Sequence, residues 1–184
     1  MDNPKIRKLL ILLHLFAAGF MAPAFLLVAV TGGMHMVGGV EHEVKTPIVL
    51  PAGTVINLKS PSAESDVRAL LKSANIDHDF EYLKNRGTAA QTRPTSRPYI
   101  SFKQKDGVWT AEKVTPNLMK AAMEIHKGHG PKLLRTYHKL VALMLLAVVF
   151  GGLLVGLLAK AYRRKTIIAT SVGTIIYLLL VFVA

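Results

Sequence analysis

The chain contains no cysteine. That excludes disulfides, thiolate-bound zinc, iron–sulfur clusters and thiol nucleophiles. Aromatic residues supply only 7% of the 184 positions and charged residues only 18%. Acidic residues are scarce, 11 against 23 Lys and Arg, which leaves a formal net charge of +12. The sequence also lacks a Gly-rich phosphate loop, a Gly-x-Ser-x-Gly elbow and a His-Glu-x-x-His pair. Any chemistry therefore falls to histidine, carboxylates, hydroxyls or a bound cofactor.

Apolar residues are abundant. They make up 51% of the chain, and the mean hydropathy is +0.37. Three runs are free of Asp, Glu, Lys and Arg: Leu9 to Val40 (32 residues), Leu140 to Ala159 (20) and Thr166 to Ala184 (19). About 20 apolar residues cross a hydrocarbon core, so three transmembrane helices are expected. The first run is too long for a signal-peptide core and no small-x-small site ends it, so it reads as a retained anchor. Pro23 within it predicts a kink, and Gly32, Gly33, Gly38 and Gly39 predict a loose end.

Basic residues flank the runs. Lys5, Arg7 and Lys8 precede the first; Lys160, Arg163, Arg164 and Lys165 separate the second and third. Both flanks are expected on the cytoplasmic side. The segment between the first two runs is then external. It carries 16 Lys and Arg and 10 Asp and Glu between Glu41 and Lys139, mostly placed singly. Such scattering describes a solvated or headgroup-facing surface, and no nucleic-acid partner is expected. Tyr137 and Tyr162 bracket the second run as interfacial anchors.

The predicted organisation has residues 1–40 as cytoplasmic N-terminus and first helix, 41–136 as a small external α+β domain, and 137–184 as two helices joined by a short basic loop at 160–165. In the domain, Ile48 to Leu50 and Thr54 to Ile56 read as strands about the turn Pro51-Ala52-Gly53. A helix capped by Ser62 follows, with Val67, Leu70, Leu71 and Ala74 on one face. Phe80 to Lys84 reads as a strand, and Gly87 to Pro98 as a loop. Pro98 to Gln104 and Gly107 to Val114 flank Asp106-Gly107 and read as a hairpin. Thr115-Pro116 is expected to start a helix whose apolar face is Leu118, Ala121, Ala122 and Ile125, and Gly128 to break it. Gly152-x-x-x-Gly156 offers a close-packing helix face.

Histidine is the most informative residue type. His14 lies inside the first run, His35 near its far end, and His138 at the entrance to the second, with His126 and His129 just before it. An ionisable group inside a span is costly and marks a functional position. Imidazoles on facing helices at one depth can hold a b-type haem; they can also simply hydrogen-bond a neighbour or face headgroups. His14 and His35 are 21 residues apart, about 31 Å along a helix, and about 60° apart around it. His126 and His129 read as solvated because Gly128 interrupts their helix, and Glu41-His42-Glu43 as a solvated linker. The third run has no histidine, so a haem near His14 needs a homodimer, another membrane subunit or a different ligand.

Leu13-His14, Thr31-Gly32, Ile125-His126-Lys127-Gly128, Arg135-Thr136-Tyr137-His138 and Gly151-Gly152 together resemble the PepSY-associated transmembrane family. The resemblance implies a PepSY-like domain between the first two helices, set in the periplasm, and a bacterial inner-membrane location. It also implies haem b and electron transfer to a periplasmic acceptor such as ferric iron. His14, His126 and His138 match the family's histidine positions; His35 rests on geometry alone. A second reading stays open: a non-enzymatic accessory subunit whose domain is an interaction module.

Overall fold

The computed structural model describes the backbone of residues 4–183 and the side chains from Lys8 onward, Leu10 apart. Of the residues read above as topology signals and span ends, the Lys5 and Arg7 side chains and Ala184 lie outside this description. The chain divides into two compact units, Ala24–His138 on one hand and Met1–Pro23 with Lys139–Ala184 on the other.

Among the described residues, three helices are long and apolar enough to cross a membrane. Helix α1 spans Pro4–Met36 and runs unbroken through Pro23, Gly32 and Gly33. It ends where Gly38 takes a positive φ of 86° and the Gly39 amide donates back to the Met34 carbonyl at 2.7 Å. The helices α4 (Lys132–Leu158) and α5 (Lys160–Val183) come later in the chain. Helix α4 starts eight residues before the uncharged run, so His138 lies in its second turn rather than at its mouth.

The basic loop expected at 160–165 is helical instead, forming the first turns of α5. The reversal is confined to Ala159, and Arg163 Nε donates to the Leu157 carbonyl that α4 leaves unpaired (2.7 Å). Residues ten apart on a straight helix are about 15 Å apart. Here the Thr166 side chain occupies the place a Cβ on Gly156 would take, so the chain doubles back sharply. Glycine is required there because the clash is with Thr166 atoms close to its backbone. Gly156→Val should cost this turn about 1–2 kcal/mol by overpacking. The check is faster hydrogen exchange at the α4–α5 junction, with exchange in the 24–138 unit unchanged.

The other unit holds a five-stranded antiparallel sheet in the order β1-β5-β4-β3-β2. The strands are β1 (Glu43–Ile48), β2 (Tyr82–Asn85), β3 (Ala89–Arg93), β4 (Tyr99–Lys105) and β5 (Val108–Pro116). Asp106 and Gly107 both have positive φ, 51° and 81°, which matches the hairpin twist predicted between β4 and β5. Helix α2 (Ala63–Ser73) buries Val67 and Leu71. These residues join Ile100, Phe102, Trp109 and Ala111 in the main core, with Phe80 and Ala90. Ser62 stands at the N-cap as its spacing predicts, but its hydroxyl donates to Asp66 at 2.9 Å instead of accepting from the backbone.

Several expectations need correction. The segment Gly87 to Pro98 is not all loop, since β3 lies within it and pairs with both β2 and β4. Thr54 to Ile56 forms no strand, and the first strand, Glu43–Ile48, includes only Ile48 of the stretch expected at Ile48 to Leu50. Helix α3 (Leu118–His126) is capped by Asn117, whose side chain accepts from the Lys120 amide, while Pro116 closes β5. Leu118 is 87% exposed, and α3 buries Met123 and Glu124 instead.

Candidate functional site

The last turns of α1 present Thr31 and His35 on one face, four residues apart. The buried Thr31 hydroxyl donates to the Leu27 carbonyl at 2.6 Å, as helical threonines do. Its oxygen also lies 2.7 Å from His126 Nδ1. When the hydroxyl proton stays with the Leu27 carbonyl, the imidazole donates to Thr31 through Nδ1–H, and the Nε2 of a neutral ring then carries the lone pair. The His126 ring also lies beside Gly32, where an added Cβ would sit 3.7 Å from Cε1.

Helix α3 carries the charged centre. Its end is fixed by Gly128, at φ 75°, with the Gly128 amide donating to Ile125 and the His129 amide to Glu124. These paired bonds form a Schellman motif. The motif folds His129 back over the helix it has just left, placing Nδ1 2.7 Å from Glu124 Oε2. Thr95 donates its hydroxyl to the same carboxylate oxygen at 2.5 Å, and its amide donates to the His129 carbonyl at 3.2 Å. Arg93 donates to Thr95 Oγ1 at 2.8 Å and stands 3.8 Å from Glu124. Burial pushes the Glu124 carboxyl up, but the Thr95 and His129 hydrogen bonds and the His129 and Lys120 charges carry it net below its ordinary value.

The cluster continues to the end of α1 through Lys120. Its ammonium lies 3.0 Å from Glu41, 3.5 Å from Glu124 and 3.7 Å from Glu43. Lys127 adds contacts to Glu41 at 3.5 Å and Glu124 at 3.9 Å. The Lys120 hydrogen bond holds the Glu41 carboxyl below its ordinary value. Tyr99 donates to Glu43 at 3.1 Å, and burial together with that carboxylate pushes its phenol well up. Asn117 closes the join, donating from its amide to His42 and from its side chain to Val40.

The first turn of α4 is tied to the sheet in the same manner. Glu81 accepts from the Lys132 amide at 2.7 Å, placing a carboxylate on a helix N-terminus. Arg135 donates to the Tyr82 hydroxyl at 2.7 Å.

The four histidines singled out from the sequence have different settings. His126 is half-buried and anchored to Thr31. His35 is exposed, with Nδ1 3.4 Å from Glu41. It lies one turn beyond Thr31, so the fold brings His35 and His126 to the same end of α1. His14 is exposed on that helix, 21 residues back from His35. His138 is half-buried, its ring 5.8 Å from that of Tyr137. Among the described residues no group of three or more His, Asp or Glu side chains is arranged to hold a metal ion. His129, expected in solvent, is instead bound to Glu124. Sequence reasoning did not single out Glu124, Lys120 or Arg93. No family model, no curated protein and no solved structure matches the chain.

Proposed function

We propose that this protein is a haem-binding electron-transfer subunit of a bacterial inner membrane, serving reduction of a periplasmic acceptor such as ferric iron. The sheet domain is set in the periplasm and the N-terminus in the cytoplasm. The orientation is supported by Lys160, Arg163, Arg164 and Lys165 at the α4–α5 turn. The family reading is supported by the short motifs around His14, His126 and His138.

The single observation that carries the haem reading is the Thr31–His126 bond. Metal-ligating histidines commonly donate one ring N–H to a fixed acceptor, which orients the ring and makes the other nitrogen more basic. His126 fits that arrangement in the tautomer whose Nδ1–H donates to Thr31, which leaves Nε2 to bind a metal. A b-type haem bound there would supply a one-electron couple. His126 is the first candidate axial residue; His35, His138 and His14 are the further imidazoles. Neither of the two cavities described in the sheet domain is lined by any of the four. The group therefore fits this chain only with a second copy or another membrane subunit enclosing it. This chain's own part is to hold the imidazole and its tautomer, and to fix the sheet domain to α1 and α4.

The test is a reduced-minus-oxidised visible spectrum of full-length protein isolated from its own membranes with native partners retained. A b-type α-band that disappears in His126→Ala is expected. Absence of haem from that preparation overturns the reading. A second reading is favoured by the hydrogen bonds that fasten the domain to α1 and α4, and by α5, which buries none of its residues. It is an accessory subunit in which the domain is a rigid docking platform and α5 meets lipid or another helix. A stable haem-free complex in the same preparation would support it.

A further inference from the structure

Five basic side chains placed singly in the sequence converge on one cavity. Lys84, Arg86, Arg93, Lys127 and Arg135 line it together with Tyr82, His129 and Gly128, and no carboxylate is among its lining residues. Its volume is about 310 Å³. Lys127 and Arg93 are partly balanced by Glu124, and Lys127 by Glu41 as well. Lys84, Arg86 and Arg135 have no carboxylate within 4 Å among the described residues. Bringing like charges together around one hollow is unfavourable unless an anion balances them.

A second observation points the same way. The Arg93 side chain is only 3% exposed, and its Nε has no hydrogen-bond partner among the described residues. A buried, unpaired guanidinium nitrogen is costly, and such a group marks a place where an ion or water completes the bonding. Arg93 is among the lining residues, and its Nη1 donates to Thr95. Arg135 reaches the cavity from the first turn of α4, a helix long and apolar enough to cross a membrane. The hollow thus lies where the chain passes from the sheet and α3 into α4.

We propose that this cavity is a binding site for a phosphate group. Arginine forks match tetrahedral oxyanions through paired N–H donors, and lysines add point charge. The ligand is the phosphate of an anionic lipid headgroup or a free phosphate compound; both present the same oxyanion to Arg93, Arg86 and Lys84. The site stands apart from the haem reading, since His126, His35, His14 and His138 do not line it.

The experiment uses full-length protein in nanodiscs. One arm titrates inorganic phosphate into phosphatidylcholine discs. The other replaces part of the phosphatidylcholine with phosphatidylglycerol and adds no phosphate. Both arms read hydrogen-exchange protection of the backbone amides around Arg93 and Gly128. Lys84 and Arg86 are exposed, so the Lys84→Gln/Arg86→Gln double variant should fold normally. It should weaken the response about tenfold, whereas Lys103→Gln/Lys105→Gln, the same charge change on the β4–β5 hairpin, should not. Protection in the phosphate arm assigns a free oxyanion; protection only with phosphatidylglycerol assigns the lipid headgroup. No protection in either arm, or equal weakening by both double variants, overturns the site.

Discussion

Glu124→Ala is expected to destabilise the sheet domain by about 3–5 kcal/mol, the usual cost of removing one partner from a buried charge pair. The reasons are local. Glu124 is 10% exposed and Arg93 3% exposed, so neither charge is well hydrated once its partner is gone. His129 and Thr95 lose the oxygen they share, and the Thr95 amide bond to the His129 carbonyl is left to hold the residues after Gly128 against the loop after β3. Hydrogen exchange of β3, β4 and α3 amides in the full chain is the direct check. Because the Glu124 carboxyl is held below its ordinary value, its contribution is present above the unfolded carboxylate pKa of about 4.3 and is lost as pH falls through the folded value. The wild-type chain should lose more stability on acidification than Glu124→Ala, which keeps only the part that Glu41 contributes. Unchanged protection in the variant would mean the cluster carries no stability.

The Asp106-Gly107 hairpin and helix α2 were legible because their signals are local, a turn dipeptide and an apolar 3.6-residue period. The strand β3 was not. Ala89 to Arg93 is polar and small, with no alternating pattern, and it is a strand because β2 and β4 satisfy both of its edges. Ala90 is fully buried opposite Phe102, where its small size leaves room for the larger ring. Three membrane-length helices could be read from charge-free runs, but their ends could not. Helix α4 accepts Lys132, Arg135 and Lys139 because the polar first turns are held by Glu81 and Tyr82, which only the fold brings near.

The charged centre was hidden for a different reason. Glu124 looks like an ordinary helical carboxylate, and Lys120 like an i, i+4 partner of modest worth. What makes the pair a centre is β1 and the end of α1, which bring Glu41 and Glu43 from far along the chain. His129 read as solvated because a glycine stood before it. That glycine is what turns His129 back onto Glu124. The basic residues read as scattered because their spacing has no period; the cavity groups them from β2 and its turn, β3, the end of α3 and α4.

Lys120→Met keeps the side-chain stem but removes the charge that three carboxylates share. At neutral pH it should cost about 1.5–3 kcal/mol, the range for hydrogen bonds to charged groups. Its pH dependence is the sharper signature. In the wild-type protein the Glu41 and Glu124 carboxyls lie below their ordinary values, so acidification removes stability as they protonate. Without the ammonium, Glu41 loses the hydrogen bond that does most to lower its carboxyl, so its folded value moves back toward the unfolded one and acidification costs the variant less. The stability gap between the two proteins should therefore be widest at neutral pH and close toward pH of about 4. A gap that stays constant would mean that Lys120 contributes packing alone. The same variant loosens the join between α1 and α3, because Lys120 links Glu41, just beyond α1, to Glu124. Thr31 and His126 lie across that join. On the haem reading, Lys120→Met should lower haem occupancy at neutral pH with every histidine still in place.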